Sequence, residues 1–183
     1  INRDNVVWLT EHLGNRWDFD TVIVDESSSF KNPQARRFKA LRKEEPEDLV
    51  NFQTYFAKKE GSVTAPVSSL HFTRELMKRM EIKGIDTAYV TMHIGLGCFR
   101  EIDVEDLTKH KMDSDLISVD SEAVALVNKA KSEGRKICAV GTSVQRVLET
   151  ATLIGGMLKE YDGWTSKFIF PEYNFQVANC MIA

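Results

Sequence analysis

Apolar positions along this chain fall into two periods, and the changes between them mark out its elements. Val6, Leu9 and Leu13 recur at helical spacing over residues 4–13, and Gly14 is a stop. TVIVD, residues 21–25, is a short β-branched run and predicts a buried strand. QARRFKALRK then returns to the helical period, with Phe38 and Leu41 on one face. Further along, TRELMKRMEIKG predicts a helix capped by Thr73, with Leu76, Met77 and Met80 on one side. IDTAYVTMHIGLG alternates and predicts a strand ending in glycines, and EIDVEDL a short helical turn. DLISVD predicts a strand leading into the amphipathic helix SEAVALVNKAKSEGRK, which starts at Asp120 or Ser121 and stops at Gly134. KICAVGTS is a second buried strand, VQRVLETATLIGGML a helix, and GWTSKFIFPEY a strand and turn. Strands and helices in alternation with short links predict an α/β fold, its sheet mixed or partly parallel with flanking helices.

Composition narrows the class. The 183 residues are 43% hydrophobic and 28% charged, which suits a packed globule. No apolar run approaches the roughly 20 residues that span a bilayer, so no membrane partner is expected. The first residues, INRDNVVWLTEHLG, do not read as a signal peptide. Cys98, Cys138 and Cys180 are far apart in sequence and form no C-x-x-C pair. They read as reduced thiols of a cytoplasmic protein, with Cys138 buried in its strand. Net charge is −3, with a slight basic surplus before Lys43 and an acidic balance after it. The acidic stretch KEEPED, Lys43–Asp48, predicts a boundary between residues 1–43, a helix–strand–helix appendage, and residues 44–183.

Three stretches carry candidate chemistry. VIVDESSSFKNP ends an apolar strand in Asp25 and Glu26, the arrangement that holds Mg²⁺ and a water in a P-loop ATPase. Two acids that simply cap the next turn give the same pattern. No G-x-x-x-x-G-K-[ST] loop is present to cradle a triphosphate. APVSSLHF places His71 after a small-residue loop and before a helix, whose start favours an anion, although His71 also suits a capping or packing role. VGTSVQRVLE runs a strand into a helix: Gly141 permits close approach of a ligand, Thr142 and Ser143 cap, and Arg146 faces the strand ends. A capped helix with a surface arginine reads the same. TMHIGLGCF adds His93 and a G-x-G, Gly95 and Gly97, without the spacing of a dinucleotide site. His12, His71, His93 and His110 are scattered, and no metal site is expected from them.

Taken together, FQTYFAKKEGSVTAP, LHFTRELM, VTMHIGLGCF, HKM, AVGTSVQRVLE, GWTSKFIF and PEYNF run in one order. Over residues from about 46 to 183 they resemble the S-adenosylmethionine:tRNA ribosyltransferase-isomerases of queuosine synthesis. That resemblance implies transfer and isomerisation of the ribosyl part of S-adenosylmethionine onto 7-aminomethyl-7-deazaguanine in tRNA. Epoxyqueuosine is then the product, S-adenosylmethionine the co-substrate and tRNA the partner, with no metal. It points to His71, His93 and Arg146 as catalytic candidates, and to Ser69, Leu70, Phe72, Gly95, Gly97, Gly141 and Thr142 as cofactor-binding ones. The family's P-T-A-G-L-H-F reads Pro66-Val-Ser-Ser-Leu-His-Phe72 here, and its P-G-Y reads Pro171-Glu-Tyr173. An N-F-H-L-P segment and the family's N-terminal portion are absent from the sequence, so impaired turnover is expected.

Residues 1–43 resemble the acidic-box segment of a Swi/Snf-type helicase ATPase, in which Asp25 would hold the metal and Glu26 position the water. Two other classes therefore stand beside the enzyme reading. One is a non-catalytic, chimeric interaction protein that recruits a protein partner at exposed sheet edges. The other is a fragment of a nucleic-acid-dependent ATPase.

Overall fold

Two small sheets and four helices make up the described part of the chain, residues 53–183 of a computed structural model. The expected elements before residue 53, the domain boundary at Lys43–Asp48 and the pair Asp25 and Glu26 lie outside the described residues.

Helix α1, Val67–Leu70, is a single turn, and α2 spans Arg74–Ile82. The Thr73 hydroxyl accepts from the Leu76 amide at 3.2 Å, the N-cap that the sequence predicts. Strand β1, Thr91–His93, is much shorter than the alternating stretch that contains it. A 3-10 turn, Leu96–Phe99, follows the first glycine. A second, Leu107–Lys109, is capped by Asp106 and sits just after EIDVED.

Strand β2, Asp115–Val119, is the central strand of the antiparallel sheet β1-β2-β4, where β4 is Tyr161–Thr165. Along β2, Asp115, Ile117 and Val119 face inward while Leu116 and Ser118 are half-buried, the period-two pattern of a strand with one core face. Helix α3, Ser121–Ser132, begins at Asp120, whose carboxylate accepts from the Ala123 amide at 2.9 Å. Strand β3, Cys138–Val140, leads into α4, Thr142–Thr150. Strand β5, Cys180–Ile182, pairs in parallel with β3. The fold is thus mixed α/β, but its parallel pairing is confined to the two-stranded sheet and the larger sheet is antiparallel. No helix among the described residues is long and apolar enough to cross a membrane.

The core lies where α3 and α4 cover the sheets, and includes Ile117, Val119, Val127, Val147, Leu148 and Leu158. Helix α4 ends at Thr150, well before the expected Leu158. The Leu153–Gly156 turn and a bridge between Thr152 and Leu158 fold ATLIGGML back instead, so Leu158 enters the core as part of a hairpin-like return.

Two polar groups organise the interior. The Glu149 carboxylate, on α4, accepts from the Tyr173 hydroxyl at 3.0 Å and from the Gln176 and Val177 amides at 2.9 and 3.3 Å. It thereby ties the segment after β4 to the helix. Burial, together with that carboxylate, pushes the Tyr173 hydroxyl above its ordinary pKa. The second is the pair Asp115–Arg146, described with the site.

Cys138 is exposed rather than buried. In β3 only Ala139 points to the core, and the alternation turns Cys138 outward, where it lies opposite Cys180 of β5. The separation of these cysteines in sequence is undone by the parallel pairing.

Candidate functional site

The stretches APVSSLHF and AVGTSVQRVLE are about 75 residues apart in sequence, yet they form one cavity. It measures about 190 Å³, and its walls are Ala65–Ser69, Ile94 and Gly141–Ser143. One wall is α1 with the loop before it, and the opposite wall is the start of α4. Ile94, between His93 and Gly95, closes a third side.

The start of α4 has an open geometry. Gly141 is the N-cap, at φ +100°, a conformation that L side chains rarely adopt. Thr142 and Ser143 are the first helical residues and not the cap, which corrects the sequence reading, and no side chain caps the helix. Its first-turn amides have no intrahelical acceptors and carry the positive end of the helix dipole. A carboxylate or phosphate oxygen at this end of the cavity would meet both. Gly141 is held in place from behind, its amide donating to the Ile182 carbonyl of β5 at 2.7 Å.

The G-x-G loop after β1 is fixed by a carboxylate that sequence reasoning missed. Asp115 Oδ1 accepts from the Gly95 amide at 2.7 Å, and its Oδ2 pairs with Arg146 Nη1. Arg146 is 7% exposed and Asp115 4%. The rest of the guanidinium is also engaged. Nε donates to the Lys167 carbonyl at 2.8 Å, and Nη2 donates to the carbonyls of Asp113 and Thr165 at 3.2 and 3.0 Å. A buried ion pair offsets its desolvation only when such additional bonds are made. Arg146 is therefore not a surface residue. It stands in the second turn of α4 and locks that helix to β2, β4 and the glycine loop. The signal for Asp115 was present in DLISVD: the same alternation that buries Ile117 and Val119 buries an acid two residues earlier.

The remaining candidates are distributed around the cavity. Ser69 lines it, as do Gly141 and Thr142. Leu70, His71 and Phe72 follow on α1 and its exit without forming a wall. His71 is exposed and is the C-cap of that turn, and Phe72 is half-buried. His93, half-buried at the end of β1, packs against Gly61. The next residue, Ile94, is pinned on both sides: its amide donates to Ser62 Oγ at 3.1 Å and its carbonyl accepts from the Val63 amide at 2.9 Å. Gly97 is a packing glycine, since a Cβ there would collide with Asp113, which is itself paired with Arg100 at 3.0 Å. Ser68 and Ser143 belong to the cavity as much as Ser69 and Thr142 do. No group of three His, Cys, Asp or Glu with metal-holding geometry occurs among the described residues.

Fold and site together define a mixed α/β protein with a small cavity at an uncapped helix start, bordered by a serine-rich turn and a carboxylate-anchored glycine loop. Comparison with known proteins gives the family. Residues 21–183 match the model of the queuosine biosynthesis protein family. The chain is 67% identical, over 138 residues, to the S-adenosylmethionine:tRNA ribosyltransferase-isomerase of Phocaeicola vulgatus, covering 75% of this chain and 39% of the relative. The protein of the same name from Bacteroides fragilis is 64% identical over 139 residues, covering 76% and 40%. That from Cytophaga hutchinsonii is 46% identical over 169 residues, covering 92% of this chain and 47% of its own length. The chain belongs to the queuosine biosynthesis protein family, and it spans about 40% of the length of the first two of these relatives. The family match begins before Asp25 and Glu26 and runs on across Lys43. The acidic box thus falls inside the queuosine match, and nothing in these comparisons supports a helicase motif there.

Proposed function

We propose that this chain carries the S-adenosylmethionine-binding part of a tRNA ribosyltransferase-isomerase. In that role it serves the transfer and isomerisation of the ribosyl group of S-adenosylmethionine onto 7-aminomethyl-7-deazaguanine in tRNA, giving epoxyqueuosine. The observation that carries the reading is the convergence of APVSS and GTS on one cavity, in a chain 67% identical over 138 residues to a relative with that name.

The chemistry of the walls suits one end of the co-substrate. At about 190 Å³ the cavity is smaller than the roughly 300–1,000 Å³ of sites that enclose a whole small ligand. It suits the amino-acid end of S-adenosylmethionine, with the carboxylate on the α4 amides and the Ser68, Ser69, Thr142 and Ser143 hydroxyls around it. The ribosyl carbons then lie toward Ile94 and the glycine loop, beside His93. His93 and the exposed His71 are the proposed acid–base residues. Arg146 acts as a positioning residue: with Asp115 it holds Gly95, and so Ile94 and His93, against the start of α4. A base displaced from a tRNA loop would enter from the solvent side, as chemistry on an RNA base generally requires.

The test is to incubate tRNA bearing 7-aminomethyl-7-deazaguanine with the chain and S-adenosylmethionine, and to analyse digested nucleosides. Epoxyqueuosine with release of adenine and methionine, formed more slowly than by the Phocaeicola vulgatus relative, is the expected result. Absence of all three products, under conditions in which the Phocaeicola vulgatus relative forms them, would overturn the proposal for this chain.

A further inference from the structure

β3 and β5 pair in parallel with Cys138 directly opposite Cys180, and both residues are exposed. Neighbouring strands lie about 4.8 Å apart. That is within the roughly 4.4–6.8 Å between Cα atoms that a disulfide bridges. Partial desolvation and a hydrogen bond to the Cys180 thiol push the Cys138 thiol up to about 11. Each thiol donates to a backbone carbonyl, Cys138 Sγ to Ala139 at 3.9 Å and Cys180 Sγ to Ile137 at 3.8 Å, and no disulfide joins them. Cys98 stands apart in the 3-10 turn after β1.

We propose that Cys138 and Cys180 form a reversible thiol–disulfide pair, oxidised by low-molecular-weight disulfides to an intrachain bond that staples β5 to β3. In the first step Cys180 acts as the nucleophile. Its thiolate takes one sulfur of the small disulfide and expels the other half as a thiol. Cys138 then loses its proton and attacks the Cys180 sulfur, expelling the second half. The two protons and two electrons of the pair end on two small thiols, and the new Cys138–Cys180 bond accounts for both sulfurs.

The consequence reaches the cavity. A two-stranded sheet is marginal by itself, and this one has three residue pairs. Ile182, two residues beyond Cys180, holds the Gly141 amide at the start of α4. A covalent tie at Cys180 fixes that anchor and closes a loop containing α4 and β4. The inference rests on the strand register alone and stands whether or not the cavity binds S-adenosylmethionine.

The experiment treats the whole chain with oxidised glutathione under non-denaturing conditions. Free thiols are expected to fall from three to one, and the chain mass to drop by two hydrogens. Peptide mapping should join Cys138 to Cys180, and the melting temperature should rise by about 5–10 °C, reversibly with dithiothreitol. Cys98→Ser should keep the bridge, the mass loss and the melting shift, its free thiols falling from two to none. Cys138→Ser and Cys180→Ser should each abolish it while melting like the reduced parent. Three persistent thiols, a stable glutathione adduct on one cysteine, or a bridge involving Cys98 would each overturn the proposal.

Discussion

Arg146 and Asp115 show how one residue pair sets both stability and site geometry. Each is buried, and the guanidinium serves three carbonyls besides the carboxylate. Removing one partner strands the other charge, so Arg146→Ala should lower unfolding free energy by about 3–5 kcal/mol. Arg146→Lys keeps the charge but loses the planar fork, and should fall between the parent and alanine. Urea denaturation of the three proteins checks the order; equal midpoints would remove the clasp from the account. Cys138 gives a second residue-level prediction. The thiolate is the reactive form, so alkylation of the Cys138 peptide should rise with a midpoint near 11 in the folded chain. In urea it should revert to the ordinary 9.0. The folded chain holds this proton more tightly than the unfolded one, so the stability it contributes is full below about pH 9 and is lost as pH rises through about 11. A folded midpoint near 9 would contradict the desolvation of this thiol in the folded chain.

Among the elements, the caps were legible and the ends were not. Thr73 and Asp120 announce α2 and α3 because a short side-chain acceptor before an amphipathic run satisfies the first amides, a purely local signal. The strand DLISVD was equally plain, since its alternation reports a single core face. The sequence overextended α4 because ATLIGGML continues the apolar content. The return at Gly155 and Gly156 and the bridge to Thr152 are settled by packing at a distance. It also buried Cys138 because an apolar run of this length does not tell which neighbour the strand will have. For the site, residue types at Ser69, Gly141 and Thr142 were readable from their loops. That Ile94 closes the cavity and Asp115 anchors Gly95 depends on tertiary pairing across β1 and β2. Gly141 carries the prediction for this level. At φ +100° an alanine is strained, and its Cβ would lie 3.3 Å from Ser143 Oγ. Gly141→Ala should cost about 1–3 kcal/mol, visible as an earlier chemical-denaturation midpoint. An unchanged midpoint would mean that α4 does not depend on this cap.

At the scale of the molecule, two polar clasps join the elements around the cavity. Asp115–Arg146 ties α4 to the antiparallel sheet and the glycine loop. Glu149 ties the same helix to the segment that leads into β5. The middle and the C-terminal end of α4 are therefore anchored, and its start is tied to β5 through the Gly141 amide. That preorganisation, in a chain of the queuosine biosynthesis family, is what a co-substrate carboxylate would exploit. The most direct measurement is a thermal melt of the purified chain with and without S-adenosylmethionine, repeated with Gly141→Ala. At about 100 times its dissociation constant the ligand adds about 2.7 kcal/mol to a folded site. The account predicts a cooperative transition that moves upward with ligand, by less in the variant. A cooperative transition that stays in place at saturating S-adenosylmethionine would contradict the assignment of this cavity.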